Sequence, residues 1–162
     1  MPTTSGSDNP LQRAGLPTGA EKHRAVRQMF DTIAPRYDVV NRLMTFRLDV
    51  AWRRRAVRAL RLAPGSSVLD LASGTGDLCI ELTQQGFCPI SVDFSFGMLA
   101  ADRRSGAPRV QGDACNMPFP DGVADGVTCG FALRNFVDLG AFFDDVGRVV
   151  RPVGRIALLD RS

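Results

Sequence analysis

The residues best suited to chemistry begin in "VLDLASGTGDL" (Val68 to Leu78), where an apolar run gives way to small residues between two aspartates, Asp70 and Asp77. Gly74 and Gly76 have no Cβ and tolerate positive φ, so the backbone there can approach a ligand closely. The dinucleotide fingerprint G-x-G-x-x-G is met only in part, because Cys79 stands where its third glycine belongs. Two carboxylates would repel a pyrophosphate, yet they suit a ligand bearing a positive ammonium or sulfonium. The plainer reading is a glycine turn with Asp77 capping the helix that follows. In "SVDFS", Asp93 sits about 20 positions past Gly74, where a carboxylate can hold a ribose diol through paired hydrogen bonds; capping of a helix starting at Ser95 is compatible with that role. In "QGDACNMPFPDG", Asp113 and the Ala114 amide are suited to the edge of an adenine, although "PFPDG" is a turn on any reading.

These loops need a scaffold, and the hydrophobic pattern supplies one. "SSVLDLA", "CPISVDF", "PRVQGDA", "ADGVTCGFAL" and "GRIALLD" read as strands. "GDLCIELTQQG", "SFGMLAADRR" and "DLGAFFDDVGRVVRP" between them read as helices. Such alternation predicts a doubly wound α/β fold with a parallel sheet covered on both faces. Ligands in these sheets bind outside the carboxyl ends of the strands, which singles out the loops after Leu71, Val92, Gln111 and Gly130. Residues 20–65 form an N-terminal helical cap on the α/β domain of residues 66–162. Its helices are Glu21 to Ile33, stopped by Pro35, then "YDVVNRLMTF", then Asp49 to Leu60. The last presents Trp52, Ala56, Val57 and Leu60 on one side and Arg54, Arg55 and Arg58 on the other. Residues 1–19, rich in Pro, Gly, Ser and Thr, read as a disordered tail.

Composition narrows the function classes. The 162 residues, 44% hydrophobic, are enough for one core. No apolar run reaches the roughly 18 residues of a membrane span, and the N-terminus lacks a secretory apolar region. Cys79, Cys88, Cys115 and Cys129 form no C-x-x-C pair and read as apolar packing residues in a reducing cytosol. His23 is the single histidine, which argues against a His-based triad and leaves no metal site to expect. A net charge of +3 is modest for this length, whereas a nucleic-acid binder would normally show a denser basic stripe with interleaved aromatics; the balance alone is not decisive, and no nucleic acid is expected as partner.

Beyond the loops, "MFDTIAPRYDVVNRLMTF", "WRRRAV", "DFSFGML", "GDACNMPFPDGVADGVTCGFALRNF" and "RPVGRIALLD" extend the pattern over about Arg24 to Asp160. The chain resembles the S-adenosylmethionine-dependent methyltransferases with a Rossmann-like sheet, and within them the ubiquinone/menaquinone biosynthesis C-methyltransferases. "APRYDVVN" and "GFALRNF" are the specific parts. The resemblance implies S-adenosylmethionine as cofactor, contacted by Thr75, Asp93, Asp113, Ala114 and Gly130, to which the reading of the glycine loop adds Asp70, Gly74 and Gly76; a serine is usual at Gly130, so that side-chain contact is missing. It implies methylation of a ring carbon beside a phenolic hydroxyl on a prenylated quinol precursor. Arg134, protonated at all ordinary pH, would stabilise the phenolate or orient a water that takes the proton. Asn135 would fix the ring, and Tyr37, with Asp38 and Asn41, would form the opposite wall. The prenyl tail implies a membrane-borne substrate, and Arg53, Arg54, Arg55, Arg58 and Arg61 form a basic face that could rest on anionic headgroups or simply be solvated.

The resemblance also sets expectations about what is missing. The sequence ends at Ser162, so the sheet is expected to lack the last strands of the family. The strand "RIALLD" would then be an apolar edge, open to a second copy or another partner. Val153 replaces the glycine usual in that segment. Two alternatives stay open: a methyltransferase for another aromatic or natural-product acceptor, and a non-catalytic cofactor-binding domain.

Overall fold

The computed structural model describes residues 19–29, 31 and 48–160. The expected tail before residue 19, the helix over "YDVVNRLMTF", and Tyr37, Asp38 and Asn41 lie outside them. Residues 19–29 form helix α1, and α2 spans Leu48–Ala59. The α/β part follows as β1 (Ser67–Leu71), α3 (Asp77–Gln84), β2 (Cys88–Asp93), α4 (Phe96–Ala101), β3 (Arg109–Gln111), β4 (Ala124–Gly130), α5 (Leu139–Val149) and β5 (Val150–Leu159). A single 3₁₀ turn, Leu133–Asn135, follows β4.

The five strands form one sheet in the order β3-β2-β1-β4-β5 with every pairing parallel, the expected doubly wound arrangement. The strand order reverses beside β1, whose neighbours are β2 and β4; this is the switch point. Residues alternate across β1. Val68 packs on one face with Val57 of α2, Leu60 just after it, and Leu78 and Leu82 of α3, whereas Leu69 and Leu71 pack on the other with Phe142, Val146 and Val149 of α5. Both faces are thereby buried, and that is why the central strands read as apolar.

Several expected elements are shorter, β3 (Arg109–Gln111) among them, and three end for a visible reason. α4 stops at Ala101 because the Asp102 carboxylate accepts the backbone N–H of Arg104 (3.1 Å) and Ser105 (2.9 Å) and folds the chain away. α5 stops at Val149, since Val150 pairs with Ala124 of β4 and Pro152 could not continue a helix. β4 stops at Gly130 because Phe131 takes a left-handed φ of 57°. Ser95, rather than Asp93, caps α4: its Oγ accepts the Met98 N–H at 3.1 Å.

Side-chain placement differs from expectation in three respects. Trp52 is exposed, while Arg53 turns inward to lie 3.8 Å from Asp77, and Arg54 lies 3.8 Å from Glu81. The basic face of α2 is thus smaller than the sequence suggested. All four cysteines are free, with Cys79 and Cys129 buried but Cys115 only partly so and Cys88 exposed. On β5, Ile156 and Leu158 are exposed large apolar residues, as expected of an apolar edge.

Candidate functional site

A cavity of about 340 Å³ opens at the carboxyl ends of β1, β2, β3 and β4, within the range of roughly 300–1,000 Å³ common for small-molecule sites. Ala72 and Gly74 enter it from the loop after β1, Asp93 and Phe94 from β2, Asp113 and Ala114 from β3, and Gly130 and Phe131 from β4. Ala72 (φ 50°) and Phe131 (φ 57°) stand just beyond the two strands at the switch point. Both are non-glycine residues in the left-handed region, a conformation that tends to persist where a site requires it. Together they turn the chain away on either side and hold the crevice open.

Asp93 organises the floor. Its Oδ2 accepts the Gly74 N–H at 2.8 Å and its Oδ1 accepts the Ser95 N–H at 2.9 Å, so one carboxylate ties the glycine loop to the start of α4. Burial raises its pKa, and the backbone donors oppose that rise. A carboxylate has about four lone-pair directions, and two N–H groups leave acceptor capacity for a diol. At the next strand end, Asp113 Oδ1 accepts the Cys115 N–H at 2.8 Å, and Oδ2 faces His23 Nε2 at 3.7 Å.

Gly74, Asp93, Asp113, Ala114, Gly130 and Asn135 all line the cavity. The other expected residues stand elsewhere. Asp70 is fully buried beneath the loop, where its Oδ1 accepts Thr128 Oγ1 at 2.8 Å and its Oδ2 faces Cys79 Sγ at 3.5 Å. Desolvation pushes its pKa up to about 7. Asp77 starts α3 and pairs with Arg104 Nη2 (2.7 Å) as well as Arg53. The carboxylates lining the cavity are therefore Asp93, Asp113 and Asp138, rather than the two bracketing the glycine loop. Thr75 is buried, outside the lining. Gly76 has φ 87°, and a Cβ there would fall 2.3 Å from Asp102 Oδ2, so its smallness serves loop packing. Arg134 points away: its side chain is 60% exposed and its Nη2 lies 3.2 Å from Asp160 Oδ1. The 3₁₀ turn sends Arg134 outward and the next residue, Asn135, inward.

Sequence reasoning missed His23, Phe94, Phe131 and Phe136 in the lining, and Asp102 behind the loop. The helical spacing of Gly19, His23 and Val26 was the available signal for α1. Asp102 gave none, because its role depends on α4 ending early. Among the described residues no cluster of three or more His, Cys, Asp or Glu side chains could hold a metal ion, and no helix is long and apolar enough to cross a membrane.

A profile of the ubiE/COQ5 methyltransferase family matches residues 18–162. The chain belongs to that family. Among curated relatives of this family member, the demethylmenaquinone methyltransferase of Mycolicibacterium gilvum (strain PYR-GCK) is 45% identical over 137 residues, covering 85% of this chain and 60% of the relative. The demethylmenaquinone methyltransferase of Corynebacterium kroppenstedtii is 41% identical over 142 residues, covering 88% of this chain and 62% of its own. The chain thus spans about 60% of the length of the curated relatives it matches. Among solved structures, Haemonchus contortus phosphoethanolamine N-methyltransferase 1, in complex with phosphoethanolamine and S-adenosylhomocysteine, superposes with a TM-score of 0.74. It covers 87% of this chain and 32% of its own length at 18% identity, a likeness of fold alone.

Proposed function

We propose that the cavity binds S-adenosylmethionine and that the chain takes part in C-methylation of a prenylated quinol such as demethylmenaquinol. The observation that carries this reading is the convergence of Gly74, Asp93, Asp113 and Gly130, from four strand ends, on one cavity in a member of this family. The residues fit the cofactor: Asp93 has acceptor capacity for a ribose diol, Asp113 Oδ2 and the Ala114 amide suit an adenine edge, and both carboxylates suit a positive ligand. When bound, the cofactor supplies an electrophilic methyl group.

The chain's own task is to orient the acceptor and hold charge. Asn135, inside the cavity, positions the quinol ring. Arg134 stabilises the phenolate oxygen or orients the water that takes its proton, after parting from Asp160; fixed positive charge at a developing oxyanion is an effective source of rate. Titration calorimetry with S-adenosylhomocysteine tests the binding half of the proposal, and turnover of a demethylated menaquinol analogue tests the other. No heat of binding would end the cofactor reading.

The pairing of Arg134 with Asp160 favours a second reading, in which the chain binds the cofactor without completing the acceptor site. Binding without turnover on any quinol would select it. Turnover on a different aromatic acceptor alone would instead assign a related methyltransferase. A prenylated acceptor is lipid-borne, and we infer that the exposed Arg55, Arg58 and Arg61 rest on anionic headgroups. Flotation with anionic vesicles at low salt tests this, and failure to float ends it. The outer edge of β5 is suited to a further strand from a second copy; light scattering that finds only monomers over a wide concentration range would refute that partner.

A further inference from the structure

The helix α1 lines the cavity through one stripe. Gly19, Ala20, His23 and Val26 line it, at the spacing of successive turns on one helix face. Within residues 21–29, His23 and Val26 alone are half-buried and the rest are exposed. The helix is seated at its start, where a Cβ on Gly19 would lie 3.3 Å from Val137 Cγ1, and beyond its described end Asp31 Oδ1 accepts the Gly97 N–H at 3.0 Å at the start of α4. His23 is therefore the polar side chain that α1 delivers into the cavity. Its ring lies 5.1 Å from the Phe94 ring, centroid to centroid, and its Nε2 is 3.7 Å from Asp113 Oδ2.

We infer that His23 is a cofactor-contacting residue that walls the nucleobase end of the cavity. The inference rests on the cofactor reading above and deepens it. Asp113 Oδ1 is engaged by the Cys115 N–H, so Oδ2 is the atom turned toward the cavity for an exocyclic amine. The contact between His23 Nε2 and that oxygen is longer than a hydrogen bond, so an amine can reach Oδ2 without first breaking one. The imidazole and the Phe94 ring then offer flat, polarisable surface to the purine. Base–aromatic contact is sequence-tolerant and is worth enough that truncation of the ring to alanine weakens a bound base by about tenfold.

Titration calorimetry on the full chain tests the inference with three ligands: S-adenosylhomocysteine, 5′-methylthioadenosine and homocysteine. The expected result is that His23→Ala weakens S-adenosylhomocysteine and 5′-methylthioadenosine by the same factor, about tenfold, whereas His23→Phe stays within about threefold of the parent. Retained binding in the Phe variant also shows that the substituted helix still folds onto the site. Unchanged affinity in His23→Ala, or a loss seen with S-adenosylhomocysteine but absent with 5′-methylthioadenosine, overturns the inference and leaves the cofactor reading intact. Failure of the parent chain to bind any of the three overturns the cofactor reading itself.

Discussion

At the scale of single residues, the site separates side chains that hold a ligand from those that could act on one. Asp93 belongs to the first group, since it accepts both the Gly74 and Ser95 N–H groups from within the cavity. Asp93→Ala removes a charged acceptor and leaves two backbone donors unpaired. Hydrogen bonds to charged groups contribute about 1.5–3 kcal/mol, so affinity for S-adenosylhomocysteine should fall by at least about tenfold in a calorimetric titration. Arg134 belongs to the second group. It is outside the lining and paired with Asp160, so Arg134→Ala should leave that affinity within about twofold. Turnover of the demethylated quinol analogue should fall about 100-fold or more, the usual cost of deleting an oxyanion-stabilising donor. Equal loss of binding and turnover would refute this division of labour.

At the scale of elements, backbone conformation decides more than side-chain identity. Val153 has φ 62° and is 99% exposed, in the bulge of β5 between Val150, which pairs with Ala124, and Arg155, which pairs with Gly126. The left-handed region costs an L-residue roughly 1–2 kcal/mol, partly offset by the extra entropy glycine loses on folding. Val153→Gly should therefore raise stability by up to about 1 kcal/mol in urea denaturation, because no packing is lost. Gly76→Ala should do the reverse, since its Cβ would collide with Asp102 Oδ2 at 2.3 Å and its φ is 87°. Both a lower urea midpoint and weaker S-adenosylhomocysteine binding are expected there. These positions also mark how much the sequence could disclose. The parallel α/β sheet and the four loops at its strand ends were legible because apolar strands and Gly-rich or Asp-bearing loops leave periodic, local signals. The inward turn of Arg53, the outward turn of Arg134 and the early end of α4 were not. The first two follow from partners distant in sequence, Asp77 and Asp160, which no window along the chain contains; the third is a local turn at Asp102 that the apolar helical pattern masked.

At the scale of the whole molecule, the sheet is built around a buried acid. Asp70 and Thr128 are direct neighbours in the β1–β4 register, and the Thr128 hydroxyl donates to a carboxylate with no exposure to water. Desolvation pushes the Asp70 pKa from 3.8 to about 7, and burial also raises that of Asp93. An acid whose pKa is higher in the folded state binds its proton more tightly there than in the unfolded chain. Its contribution to stability is fully present below the unfolded pKa and is lost as pH rises toward the folded value. Asp125 and Asp145, held below the usual carboxylate range by the Ser67 N–H and by Arg148 respectively, act in the opposite sense and lose their contribution on acidification. Asp70 has the largest of these shifts, and at about 1.4 kcal/mol per pKa unit it amounts to a few kcal/mol. Asp70→Asn keeps an acceptor for Thr128 and removes the titration. Urea unfolding of both proteins from about pH 4 to about pH 8 should give curves that coincide at the acid end and diverge above it, the variant becoming the more stable. Parallel curves across that window would mean that Asp70 stays ionised inside the sheet, and that the core around β1 and β4 admits water the packed structure excludes.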